Sequence, residues 1–286
     1  MIRGSEIVIE RIGVAVGKGE GLRELAVRSA REVLSSAAAA PVAVIAATFS
    51  NPRRFPSLAA EVTAALGLPE TTVAFDLQLA CSAYPHALVV ARQFAESAGG
   101  KVLVIDGDVQ SPLVDADDSA TGAIFSDAVT ASLVSVGEGV SESDFLTAWD
   151  EALVCPAAGP VRMDGMKVFA FVATKVNRFL AAFTAAVGGA EKFDFFVPHQ
   201  ANPYMVRRLA KALGLSEKLL TLDEALKNPG SASVPMTLAA HWSELSGRRV
   251  LLAGFGAGFS AAAVVVRAAD GGWNVGYGRE RLRFAH

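Results

Sequence analysis

Cysteine is almost absent from the chain: among 286 residues only Cys81 and Cys155 occur. Two thiols cannot build a disulfide framework, and neither stands in the clustered Cys/His spacing of a zinc site, so no metal is expected. Charge of one sign is equally scarce. Twenty-six Lys and Arg against 29 Asp and Glu leave a net charge of −3, and without a basic field no nucleic-acid partner is expected. No run of about 18 uncharged apolar residues appears, and the N-terminal MIRGSEIVIERIGVAVGKGE carries charges inside its only apolar stretch. The sequence therefore predicts neither a secretory leader nor a membrane anchor, and a cytoplasmic location. What the chain does have is apolar mass. Hydrophobic residues make up 52% of it, ample for one large domain or two halves sharing a core.

Short β-branched runs alternate with alanine-rich ones. Residues 42–49, 102–106, 129–136, 193–197, 250–254 and 261–267 read as strands, and their continuous apolar character suits strands buried on both faces. Residues 22–36, 56–67, 84–98, 168–187, 203–213 and 235–246 read as helices. This is an α/β pattern.

The order of the pieces repeats. VAVIAATFSNP resembles FDFFVPHQANP, each a strand running into an Asn-Pro turn. ACSAYPHALVVARQFAESAGGKVLVIDGD matches NPGSASVPMTLAAHWSELSGRRVLLAGFG, and SDAVTASLVSV matches GFSAAAVVVRA. Pro85 and Pro235 fall in the first turn of the two matched helices, where proline is well tolerated. The halves read as two copies of one unit, residues 1–145 and 146–286.

Cys81 lies where an apolar extended run, from Phe75, gives way to the helical run through Val90. A thiol at a helix start meets unpaired N–H groups and the positive end of the dipole, which favour thiolate. Taken alone, a lone cysteine reads more readily as a small buried apolar residue. Facing copies of the unit bring equivalent loops together, so Cys81, His199 after the first strand of copy two, and Asn228 at its helix-opening turn become a tertiary constellation of nucleophile and hydrogen-bonding partners. Taken singly, His199 fits a polar strand end, Asn228-Pro229-Gly230 an ordinary turn, and the 254–258 glycines a tight turn without a ligand. His86, His241 and Cys155 read as structural. A papain-like protease is excluded, since QLACSAYP lacks the CGSCW-like context.

These pieces, ACSA with Cys81, SDAV at Ser126–Val129, PHQAN at Pro198–Asn202, NPGSASVP at Asn228–Pro235 and GFGAGFS at Gly254–Ser260, appear in the order found in the thiolase superfamily. They resemble β-ketoacyl-acyl-carrier-protein synthase III and its chalcone and stilbene synthase relatives in particular. The resemblance implies a five-layered αβαβα fold of two pseudo-repeated halves, usually a homodimer. It implies a decarboxylative Claisen condensation in fatty-acid, polyketide or related metabolism, with no tightly bound cofactor and with phosphopantetheine thioesters of acyl-carrier protein or CoA as substrates. Cys81 would hold the acyl group, and His199 and Asn228 would bind the malonyl thioester carbonyl. The backbone of Cys81 and of the Gly256-Ala257-Gly258 turn would form the oxyanion hole, with Phe255 and Phe259 by the acyl pocket.

Three departures bear on substrate. Ala83 stands where the family has glycine. Tyr204 replaces an arginine that holds phosphopantetheine or the carrier protein, and Arg207 and Arg208 one turn on are the basic residues able to substitute. The N-terminus lacks the Arg/Trp stretch that clamps the CoA adenine, which points to a carrier protein as acyl donor. The acidic segment 107–125 is expected to be a loop near the dimer interface or pocket. The alternatives are a non-decarboxylating acyltransferase of the same fold, or a non-catalytic subunit of a heterodimer.

Overall fold

The computed structural model describes residues 1–35, 37–118, 121–157 and 159–270. Eight strands share one sheet: β1 (Ile2–Val16), β2 (Ala43–Ala47), β3 (Val73–Leu77), β4 (Val102–Asp108), β5 (Ala128–Thr147), β6 (Phe195–Pro198), β7 (Arg249–Gly256) and β8 (Ser260–Ala268). Their order is β3-β2-β4-β5-β1-β8-β7-β6. The helices that frame it are α1 (Leu22–Leu34), α2 (Leu58–Ala65), α3 (Ala83–Ala98), α4 (Gly165–Ala186, with a π-helical stretch at Val172–Val176), α5 (Pro203–Ala212) and α6 (Ser233–Ala240).

Alternation along the strands assigns the layers. Leu103 and Ile105 of β4 join Val44 and Ala46 of β2 under α1 and α2, while Val102 and Val104 face α3 and α6. Val250 and Leu252 of β7 face the same central helices, and Leu251 and Ala253 face α4 and α5. The layers are thus α1/α2, half-sheet, α3/α6, half-sheet, α4/α5, the αβαβα arrangement expected. The half-sheets are continuous because β5 is long: its first part pairs antiparallel with β4 and β1, its last part antiparallel with β8.

The repeat is visible in the pairing. In copy one β2 lies parallel to β3 and β4, and β4 antiparallel to β5. In copy two β6 lies parallel to β7, β7 antiparallel to β8, and the counterpart of β3 shrinks to the single parallel bridge Phe196–Leu219. The turn Ala80–Ser82 opens α3 as Gly230–Ala232 opens α6, and both begin with a left-handed residue, Ala80 at φ 45° and Gly230 at φ 64°.

Some boundaries differ from expectation. β1 is a central strand that the sequence does not announce, because Glu6, Glu10 and Arg11 interrupt its apolar pattern. Those charges are satisfied at strand ends and edges: Arg267 Nε donates to Glu6 Oε2 at 2.7 Å and Lys101 pairs with Glu10. α4 starts earlier than residue 168, where Asp164 Oδ1 accepts the Lys167 N–H at 3.0 Å as a cap. By length and mean hydropathy (1.3) α4 is the one helix among the described residues able to cross a membrane. Here it buries Phe171, Val176, Leu180 and Phe183 against the sheet.

Candidate active site

Cys81 sits in the turn between β3 and α3 and is 6% exposed. The turn is pressed against β7, and the glycines of that strand make the approach possible. A Cβ on Gly256 would stand 2.7 Å from Cys81 Cβ and 3.1 Å from Sγ; one on Gly254 would stand 2.9 Å from Ser82 Cα. Ser82 Oγ and Ser260 Oγ, 2.7 Å apart, tie the turn to the start of β8. Past Gly256 the chain turns at Gly258 (φ 65°), and the backbone of Ala257 and of Cys81 itself acts on the Cys81 sulfur in the sense that favours the anion.

The helix-start argument for a resting thiolate is corrected by this burial. Desolvation, then the nearby Asp108, push the Cys81 thiol up to about 12, against the two backbone hydrogen bonds that favour the anion. The amides are there, but burial, with Asp108 nearby, outweighs them. Cys81 rests as a thiol.

His199 follows β6, its N–H donating to Ala253 O of β7 at 2.7 Å, and is 2% exposed. Nδ1 lies 2.8 Å from Ser233 Oγ, which also accepts the Gln200 N–H at 3.1 Å, and the ring meets Phe255 edge-on at 5.5 Å. Burial lowers its pKa to about 4, opposed by a hydrogen bond with the Gly230 backbone. The imidazole is neutral at neutral pH.

Asn228 is also buried. Its N–H donates to Ile124 O at 3.0 Å, and its carbonyl accepts from the Ser126 N–H and from Gln110 Nε2 at 3.1 and 3.2 Å. Its side-chain Oδ1 accepts the Gly230 N–H at 3.0 Å. The amide is thereby oriented, with Nδ2 left to donate. The 107–125 segment thus includes the end of β4 and packs its Ile124 end against this turn.

The remaining expected residues separate. Phe259 (φ 50°, 7% exposed) stacks on Phe171 at 4.3 Å, while Phe255 is 1% exposed and backs the His199 ring. Tyr204, Arg207 and Arg208 stand on the exposed face of α5: Arg208 Nη1 donates to Tyr204 Oη at 3.2 Å, and Arg207 pairs with Glu224 at 3.3 Å. Asn202, of the PHQAN motif, is a helix cap whose Oδ1 accepts the Tyr204 and Met205 N–H groups at 2.9 and 3.2 Å. His86 stacks on Phe145 at 4.7 Å and bonds Ser82 O; His241 bonds Glu244 and Thr221 O. Cys155 is half-buried beside Pro156. Sequence reasoning missed Ser233, Ser260, Gly254 as a close-approach residue, and the buried Asp106 and Asp108. The internal repeat held the signal, since it sets VLVIDGD against VLLAGFG.

A five-layered αβαβα fold of two matched halves, with a buried cysteine in the helix-opening turn of one half and a buried histidine and asparagine in the other, is the architecture of the thiolase-fold condensing enzymes. Family models agree: 3-oxoacyl-[acyl-carrier-protein] synthase III matches residues 75–148, and the C-terminal model of the same family matches residues 184–268. The β-ketoacyl-[acyl-carrier-protein] synthase III of Lactobacillus delbrueckii subsp. bulgaricus is 32% identical over 295 residues, covering 93% of this chain and 92% of the relative. The 3-oxoacyl-(acyl-carrier protein) synthase structure from Burkholderia xenovorans superposes with a TM-score of 0.86 at 21% identity, covering 94% and 95% of the two chains. The 3-oxoacyl-[acyl-carrier-protein] synthase III structure from Aquifex aeolicus gives 0.83 at 26% identity, covering 92% and 100%. The chain belongs to the β-ketoacyl-acyl-carrier-protein synthase III family of the thiolase superfamily.

Proposed function

We propose that the protein forms a β-ketoacyl thioester by decarboxylative Claisen condensation, with Cys81, His199 and Asn228 as catalytic residues. What supports the proposal is that the thiol lies buried in the turn opening α3, while the histidine and asparagine lie buried in the other half, each tied to Gly230 of the matching turn that opens α6. In the first half-reaction Cys81 Sγ attacks an acyl thioester. The S–acyl bond forms, the donor's C–S bond breaks, and the thiol proton ends on the departing phosphopantetheine thiolate. The tetrahedral oxyanion is held by the Cys81 N–H and a backbone N–H of the Gly256-Ala257-Gly258 turn, that of Ala257 being nearest in role; such a donor contributes about 3 kcal/mol in other enzymes.

In the second half-reaction a malonyl-carrier-protein thioester loses carbon dioxide. Its carbonyl oxygen takes enolate charge, which His199 and Asn228 stabilise as hydrogen-bond donors. The enolate carbon then attacks the acyl-cysteine, and the Cys81 sulfur leaves and regains a proton. A neutral imidazole and an amide suit this step because neither must lose a charge to receive the developing one. Phe259 lines the acyl pocket in this reading, with Phe255 acting through His199. Tyr204, Arg207 and Arg208 offer the carrier protein a polar, basic face. The donor is an acyl-carrier protein, in fatty-acid, polyketide or related synthesis. The enzyme is a cytoplasmic homodimer of two-half protomers (1–145 and 146–286), for which the open edge of β3 offers a pairing surface.

The test is incubation with an acyl-carrier-protein panel and malonyl-carrier protein. Carbon dioxide release with a β-ketoacyl product is expected; acyl transfer to an alcohol or amine without carbon dioxide, or no Cys81 adduct with any thioester, would overturn the reading.

A further inference from the structure

Two buried polar side chains beside the site lack partners. Asp106 of β4 is fully buried and neither carboxylate oxygen meets a hydrogen-bond partner; Ser231, 1% exposed in the turn that opens α6, has an equally unpartnered Oγ. Groups left so inside a protein call for a reason, since an unmade hydrogen bond leaves their desolvation uncompensated. The repeat supplies the geometry. Ser231 is the copy-two counterpart of Cys81, and Asp106 the counterpart of Gly254, the residue whose missing side chain lets the Cys81 turn settle on β7. Asp106 shares the inward face of β4 with Val102 and Val104. Ser231 is the hydrogen-bonding group that acts on its carboxyl, although the two do not reach full hydrogen-bond geometry in the free protein. Such bonds are often long before substrate binds and tighten with it.

We propose that Asp106 is a positioning residue for the decarboxylating half-reaction, holding Ser231 and through it the Gly230 peptide on which His199 and Asn228 both rest. Gly230 N–H fixes the Asn228 amide, and the Gly230 backbone also bonds the His199 ring. The ionisable groups acting on Asp106, or acted on by it, are Asp108, Tyr84 and Cys81; none is cationic. In that setting burial favours the uncharged carboxyl of Asp106, the form that can donate to Ser231 Oγ. Asparagine, uncharged and of the same shape, preserves a donor there; leucine preserves only bulk.

The inference rests on the condensing function proposed above. Its test uses the full chain, measuring carbon dioxide release from malonyl-carrier protein and, separately, Cys81 acylation by intact mass. For D106L and S231A, decarboxylation is expected to fall about tenfold or more, as for misplaced catalytic groups, while Cys81 acylation stays within about threefold. D106N is expected to restore most of the decarboxylation that D106L loses. A purely structural role would lower both half-reactions together, and that result overturns the proposal, as does a D106N variant no better than D106L. Should D106L fail to fold, S231A decides alone: unchanged decarboxylation overturns it. Wild-type protein that releases no carbon dioxide overturns the condensing function itself, and this inference with it.

Discussion

Two turns occupy equivalent places in the halves of this protein, Ala80–Ser82 before α3 and Gly230–Ala232 before α6, yet the strands beneath them differ. Under the first lie Gly254 and Gly256, and the turn comes within a methyl group's width of the backbone. Under the second, at the matching positions, lie Asp106 and Asp108, with the latter's Oδ1 accepting from Thr48 and from the Phe49 and Ser50 N–H groups. One scaffold occurs twice. The glycine-bearing strand β7 lets the Cys81 turn settle on it, whereas β4, beneath the second turn, carries two buried aspartates at the matching positions. Each turn rests on a strand of the other half, so each proposed half-reaction draws on both copies.

The comparison breaks most severely at the nucleophile. C81A is expected to abolish acyl-enzyme formation and lower condensation by at least about a thousandfold, as loss of a covalent nucleophile does elsewhere; mass spectrometry and product formation check it. G256A, which places a Cβ against Cys81, should lower condensation about a hundredfold by displacing the thiol, with a loss of about 1–3 kcal/mol in denaturant unfolding from overpacking. Stability should also depend on pH through His199. Its pKa is lowered from 6.5 in the unfolded chain to about 4 in the folded one, so the unfolded state binds the proton first as pH falls. Stability is full above pH 6.5 and declines toward pH 4, by about 3 kcal/mol, and H199Q should flatten that decline in urea titrations. The smallest effect belongs to the docking face. R208A should raise the KM for acyl-carrier protein a few-fold, about the worth of one exposed charge, with kcat unchanged.

Much of this was legible in the sequence because chemistry and punctuation coincide there. The repeat, the prolines at 85 and 235, and the motifs around Cys81, His199 and Asn228 carry their meaning locally. β1 was not legible, since its partners Arg267 and Lys101 lie far along the chain and its charges read as a break. The state of the Cys81 thiol was not legible either. A helix start can be read from residues, but the desolvation that overrides it is a property of the packed interior. Phe255 shows the same limit: the sequence places it in the GFGAG motif, but its edge-on contact with the His199 ring is visible only in the fold.

The division of labour between the two turns is tested most directly in N228A. With the variant exposed first to an acyl thioester and then to malonyl-carrier protein, intact mass should show Cys81 acylated at a near wild-type rate while carbon dioxide release falls at least about a hundredfold. Equal loss of acylation and decarboxylation in N228A would contradict the account.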